Sequence, residues 1–295
     1  MSPSAPTKSM AGIGLLLMAV ACFGFIDTLT KQVTLTVPIL MVVWVRYFIQ
    51  AVLTTAYIFP RLGKSVMSTH YLRIHLVRGV LMLMCTMLAI ESLKHLPVGE
   101  FSAIVMTSPL VVTLLAQRLL GEHVSLKRVM LVIGGFIGVL LIVRPGSDAF
   151  SVYMFFPMVL VVLNAAFQLL TSKLSQTEKS LTIHFYSVWT GALLTTFLLF
   201  WGWTPVTEPL IWFELLLIGA AGAIGHFCLI VAFEKTEAVV LMPYMYAQIG
   251  FAMLGGWLMF NHIPDQWSTI GVILIAICGL ASAYLTLIER RRFGL

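Results

Sequence analysis

Charge is what this chain has least of. Only 10% of its 295 residues are Asp, Glu, Lys or Arg, against about 25% in an ordinary soluble domain. No polar stretch is long enough to fold as a water-soluble module, so a membrane sensor that relays a signal through such a module is excluded. Cysteine is scarce too. Cys22, Cys85, Cys228 and Cys278 all lie within apolar runs, and no CxxC pair occurs. They read as small buried hydrophobes, neither disulfide partners nor metal ligands. There is no HExxH, no GxSxG and no pair of histidines at metal spacing on one helix, which counts against an intramembrane enzyme. No GxxxxGK[ST] loop is present either, so ATP has no visible binding loop. No cofactor, metal or nucleic-acid partner is expected.

What the chain has is apolar length. Hydrophobic residues make up 60% of it. Ten apolar runs begin near Met10, Pro38, Ile74, Val98, Leu126, Val152, Ile183, Ile211, Ala238 and Trp267, each roughly 17–23 residues long. A helix rising ~1.5 Å per residue crosses a ~30 Å hydrocarbon core in about 20 residues. Backbone polar groups must be paired in lipid, which leaves helices or a closed barrel. Barrel strands alternate in polarity and these runs do not. The expected fold is therefore an all-α integral membrane protein with ten transmembrane helices. The first run lacks an AxA-like cleavage site and reads as a retained span, not a signal peptide.

The formal charge of +6 reflects topology. With the N-terminus in the cytoplasm, fourteen Lys and Arg fall inside or at inner helix ends, Arg78 among them. Lys31, Lys94 and Arg144 fall outside, and Arg46 lies within a span. That bias follows the positive-inside rule. An even helix number then puts both termini in the cytoplasm of a multi-pass inner-membrane protein.

The loop Arg144-Pro145-Gly146-Ser147-Asp148 divides the runs five and five. Five is odd, so two halves of similar fold would be inverted, as in many secondary transporters. Phe25–Lys31 can be laid on Phe167–Lys173, Ala89-Ile90-Glu91 on Ala232-Phe233-Glu234, and Glu122-His123 on Asn261-His262. Each pair ends the corresponding helix of its half.

The segment Ser102-Ala103-Ile104-Val105-Met106-Thr107-Ser108-Pro109, continuing to Leu119-Leu120-Gly121-Glu122 and Gly135-Phe136-Ile137-Gly138, resembles the EamA-type repeat of the drug/metabolite transporter superfamily. Gly24, Lys31 and Arg46 fit the same pattern. Met242-Pro243-Tyr244-Met245-Tyr246 and Ile263-Pro264-Asp265 resemble the branch containing S-adenosylmethionine and riboflavin transporters. The resemblance implies two inverted five-helix repeats, 10–143 and 152–288. It also implies a central cavity lined mainly by the first, third and fourth helices of each, and ATP-independent alternating access. The implied function is secondary transport of a small organic metabolite: S-adenosylmethionine, riboflavin or an amino-acid-like compound. Export of a metabolite or metallophore is the alternative. A coupling proton or ion and a homodimer are left open.

Polar residues within spans are costly and usually face a cavity or a partner. Asp27 ends helix 1. Arg46 lies about 12 Å into helix 2, at a cost of about 2.5–3.5 kcal/mol on insertion scales. Asp27 or Glu91 is its expected partner, either as a fixed ion pair or as a gate. Asn164 and Gln168 share a face of helix 6 at i and i+4. His226 sits deep in helix 8. Tyr244 and Gln248, again i and i+4, follow Pro243 in helix 9, with Tyr246 between them at a ligand or a helix contact. Pro109 and Pro243 each free a carbonyl in the fourth helix of a half, and interrupted helices point to a transporter's binding site. Substrate binding is accordingly expected at Tyr244, Gln248, Gln168, His226, Asn164 and Tyr246.

Overall fold

The computed structural model describes residues 5–108, 110–112, 126–144, 151–175, 177–200, 202–235 and 244–293. Among them there are ten α-helices and no strand. The first half comprises α1 (Ala5–Val33), α2 (Ile39–Leu62), α3 (Leu72–His95), α4 (Val98–Val105) and α5 (Leu126–Val143). The second comprises α6 (Phe155–Ser175), α7 (Ser180–Leu199), α8 (Pro209–Lys235), α9 (Ala247–Phe260) and α10 (Gln266–Phe293). Short 3-10 turns at Gly63–Met67 and Val152–Met154 precede α3 and α6. The described parts of the expected apolar runs are largely helical; the later part of the run from Val98 and the start of the run from Ala238 lie outside the described residues. Six are long and apolar enough to cross a membrane by length and composition, namely α1, α2, α3, α6, α7 and α8. The apolar helical stretches Val98–Val112, Val129–Val143, Ala247–Phe260 and Gln266–Ser282 are shorter.

The distribution of side chains is that of a membrane protein. Val52, Phe136, Phe197, Phe213 and Ile273 are exposed, whereas Thr30, Gln50, His75 and Ser187 are buried. Several hydroxyls inside the bundle are satisfied by their own helices. Thr28 donates to the Gly24 carbonyl at 2.8 Å, Thr86 to Met82 at 2.9 Å and Thr195 to Gly191 at 2.7 Å, which lets a polar side chain sit in an apolar setting. Three prolines stand where a helix lacks a use for its N–H: Pro38 and Pro97 cap α2 and α4, and Pro209 opens α8, whereas Pro60 lies inside α2 near its end. Asn261 ends α9 in the left-handed region at φ 51°, its N–H bonded to Trp257 and the next N–H to Gly256.

The two halves interlock. α1 packs on α8 as α6 packs on α3, α2 on α8 as α7 on α3, and α1 on α9 as α6 on α4. The remaining large contacts, α2–α7, α4–α9 and α5–α10, map onto themselves when the halves are exchanged. Small residues make these approaches possible. A Cβ on Gly138 would stand 2.9 Å from the Gly271 carbonyl oxygen, and one on Gly271 would stand 2.6 Å from that of Gly138. The register that lays Glu91 on Glu234 also lays Gly79 on Gly222. Gly79 abuts Thr190 of α7, and Gly222 abuts Gln50 of α2.

The fourth helix of each half is interrupted. α4 gives way to a turn at Met106–Thr107 before helix resumes at Ser108, and Tyr246 forms a turn between helical Met245 and Ala247. At these points the backbone switches to i−3 bonding: Thr107 to Ile104, Leu110 to Thr107 and Ile249 to Tyr246. The Thr107 and Ser108 hydroxyls cover the Ile104 and Val105 carbonyls. Pro109 and Pro243, the expected kink residues, lie outside the described residues.

Candidate functional site

Asp27, on α1, meets α9 across the interface between the halves. The Gln248 amide donates to its carboxylate at 3.3 Å. Ser102 of α4 and Arg46 of α2 face the same carboxylate. Four helices, two of them the interrupted ones, thus converge on one acid inside the bundle. Asp27 and Gln248 were singled out separately by the sequence; the structure brings them together.

The expected partners of Arg46 need correction. Among the described residues Arg46 forms no direct ion pair. Asp27 acts on it only through the longer-range field. Glu91 is turned away from it and contacts His95 one helical turn on, at 3.3 Å. The reason is reach: Glu91 lies at the last turn of α3, and His95 at i+4 competes on the same face.

A second arginine was missed. The count of basic residues puts Arg78 at an inner helix end, but it is the seventh residue of α3 and only 7% exposed. Its guanidinium donates to the Thr171 hydroxyl of α6 at 2.7 Å, and to the Ile183 carbonyl and Ser187 hydroxyl of α7. It lies over the Phe167 ring at 4.3 Å. The fork of five donors matches such a set, and the cation gains from the ring in a desolvated place. None of these partners is an acid.

Between the two arginines runs a polar column. Arg46, Gln50 and Thr54 occupy i, i+4 and i+8 of α2, one face of that helix. The Thr54 hydroxyl is 3.4 Å from His184 Nε2 on α7. The His184 ring is 5.6 Å from that of His226 on α8, which in turn lies 5.0 Å from Phe23 of α1. Gln50 is 1% exposed, and both its amide atoms lack a hydrogen-bond partner; His226 Nε2 is likewise buried without one. Orphaned buried polar atoms are rare and call for an explanation. Of these residues the sequence singles out Arg46 and His226. Gln50, one helical turn from the in-span Arg46, carried the available signal.

The other expected residues divide. The Asn164 amide donates to the Ser108 hydroxyl at 3.2 Å, tying α6 to the interruption of α4. Gln168 is half-buried one turn further along α6. Tyr244 is 39% exposed. The turn at Tyr246 falls between it and Gln248, so the i, i+4 argument that joined them fails. Tyr246 makes the helix contact that was its alternative reading. It is buried among Ala103, Ile104, Ile249 and Ile275, with Gly279 flat against its ring.

One end of the bundle is fastened across the halves. Lys31 of α1 donates to the Leu93 and Leu96 carbonyls at 2.8 and 2.7 Å, covering the C-terminus of α3. With His95, Val98, Phe260 and His262 it lines a cavity of about 210 Å³. His262 lies 3.8 Å from Glu100 of α4. Arg144, just past α5, pairs with Asp265, just before α10. The Ser268 N–H, at 2.8 Å, and the Arg144 guanidinium hold the Asp265 carboxyl below the ordinary aspartate range.

The arrangement gathers hydrogen-bonding groups from both halves around Asp27. Among the described residues no three His, Cys, Asp or Glu side chains are placed to hold a metal. Residues 10–144 match the EamA-like transporter family. The chain is 30% identical to a riboflavin transporter of Brucella anthropi over 78% of this chain and 82% of that one. It is 26% identical to the pseudopaline exporter CntI of Pseudomonas aeruginosa (92% and 95% covered) and 24% identical to an S-adenosylmethionine uptake transporter of Rickettsia bellii (90% of each). A solved structure described as "Crystal structure of protein" superposes with a TM-score of 0.66 at 16% identity, over 98% of this chain and 99% of that one. That likeness concerns the fold alone.

Proposed function

The chain belongs to the EamA-like transporter family, and on that premise we propose that it is a secondary transporter of a small organic metabolite. Two inverted five-helix repeats, 10–143 and 152–288, rock about their interface in a bacterial inner membrane. All ten helices span it, and both termini are cytoplasmic. The Lys31 end faces outward. The substrate is a polar compound with a flat portion, of the kind that riboflavin, S-adenosylmethionine and amino-acid-like metabolites represent.

The observation that carries this reading is the Asp27–Gln248 contact. It places a hydrogen-bonded acid between helices of opposite halves, within a packing pattern that exchange of the halves leaves nearly unchanged. The interruptions of α4 and α9 support it, since broken helices mark the binding sites of many transporters. Asp27, Gln248, Asn164, Gln168 and His226 are the proposed substrate contacts; Arg46 is the proposed gating cation. Glu91, tied to His95, and Tyr246, packed on Gly279, are not.

Purified protein in liposomes tests it. Labelled riboflavin or S-adenosylmethionine should enter these vesicles faster than protein-free ones, with no ATP present. Equal entry into both kinds of vesicle for every compound of this class would overturn the proposal. Export is the second reading, favoured by the likeness to an exporter; counterflow from preloaded vesicles reads it directly.

A further inference from the structure

Among the described residues, the two arginines within the bundle meet no acid in a direct ion pair. Arg46 and Arg78 both lie within it, and Asp27 is the carboxylate that faces Arg46. Asp27 spends its hydrogen bond on Gln248. Arg78 is met by hydroxyls, a carbonyl and an aromatic face. Arg46 forms no direct ion pair among the described residues. A guanidinium at this depth in a bilayer normally finds an anion, a carbonyl or water.

Unused hydrogen-bonding groups stand beside that cation. Gln50, one turn along the same face of α2, has a free amide donor and a free acceptor while 99% of its surface is buried. His226 Nε2 is free as well, and His226 interacts electrostatically with Arg46. Gly222, one turn before His226 on α8, leaves the space that Gln50 fills. These are three independent side chains, from α2 and α8, with matching deficits: among the described residues one forms no direct ion pair and two lack hydrogen-bond partners.

Resting on the transporter reading above, we propose that the substrate carries an anionic oxygen group, a carboxylate or a phosphate, which Arg46 receives between the halves. The Gln50 amide N–H donates to a second oxygen of that group, and His226 Nε2 bonds the adjoining polar part of the substrate. Binding thus supplies the negative charge that the empty site lacks. A neutral compound of the same shape leaves Arg46 uncompensated and binds more weakly.

Two matched pairs test this on the full-length protein in detergent and in liposomes: riboflavin against riboflavin 5′-phosphate, and nicotinamide against nicotinate. The pairs separate phosphate from carboxylate. The anionic member of at least one pair should raise the melting temperature more than its neutral partner and enter vesicles faster. Arg46→Gln should remove that preference, weakening the anionic member about tenfold or more, the loss expected for one charge-assisted hydrogen bond. Arg46→Lys, which keeps the charge if Gln fails to fold, should retain the preference. Neutral members that bind and enter as well as anionic ones would overturn the anion proposal and leave the transporter reading standing. So would an anionic preference that survives Arg46→Gln. If none of the four compounds binds or enters, the anion proposal and the proposed flat polar substrate class both fall.

Discussion

Gln248 donates its amide to the Asp27 carboxylate at 3.3 Å, so that α9 of the second half holds α1 of the first. The contact joins an interrupted helix to an acid deep in the bundle. It is a neutral–ionic hydrogen bond, which can be exchanged for a substrate contact without leaving two buried charges apart. Asp27→Asn should keep the amide contact and the fold while lowering vesicle uptake about tenfold or more; a hydrogen bond to a charged group is worth about 1.5–3 kcal/mol. Gln248→Leu should lower uptake similarly. Normal uptake by both variants would remove this pair from the site.

Arg78 should matter for stability more than any other basic residue in the described spans. Arg78→Ala strips the partner from Thr171 and Ser187 and opens space beside Phe167. The expected loss is about 2–4 kcal/mol. Arg78→Lys should recover only part of it, because an ammonium cannot copy the planar fork. Arg61→Ala is the comparison: Arg61 is exposed and bonded to its own helix at Tyr57, and its loss should stay within about 0.5 kcal/mol. Thermal melts of the three variants in one detergent read this order.

Gly279→Ala should be costly although it adds one methyl group. An added Cβ would stand 1.8 Å from the Tyr246 ring, so α9 and α10 must move apart. Overpacking of this kind costs about 1–3 kcal/mol. Tyr246→Ala in the same chain should relieve most of that strain, which a double-mutant cycle measures. Additive losses would mean that the ring does not press on position 279.

The Arg144–Asp265 contact gives the protein a specific acid sensitivity. The folded-state pKa of Asp265 is lowered, first by the Ser268 N–H and then by Arg144. Its contribution is therefore fully present above the ordinary aspartate pKa of about 4, and is lost as pH falls through the lower folded value. Asp265 is half exposed, so the contribution is at most about 1 kcal/mol. Wild type should melt slightly above Asp265→Asn at pH 7, and the gap should shrink as pH falls below the ordinary aspartate range. A gap that widens at low pH would contradict the assignment.

Much of this architecture is legible in the sequence, for a physical reason. Lipid satisfies no backbone group, so an apolar run must be a helix, and the described parts of the runs are largely helical, six of them on helices long enough to cross a membrane. Side-chain partners are another matter. Arg78 looks like any basic residue near a helix end until α6 and α7 bring Thr171 and Ser187 to it. Glu91 sits at a plausible depth for Arg46, but His95, one turn away, takes it locally. Tyr246 reads as a ligand contact because Pro243 precedes it. Its true complement is Gly279, which lies on another helix and has no side chain to signal the fit. Asp27 and Gln248 could be named separately, and their pairing required the packing of α1 on α9.

Labelling of one small side chain from each side of the membrane tests the central claim most directly. Ser102 is buried on α4 beside Asp27. With Cys22, Cys85, Cys228 and Cys278 replaced, Ser102→Cys should be the chain's only thiol. The account predicts that a membrane-impermeant maleimide reaches it both in right-side-out and in inverted vesicles, because the site opens to each side in turn. Reaction from one side alone, or from neither, would contradict alternating access through this site.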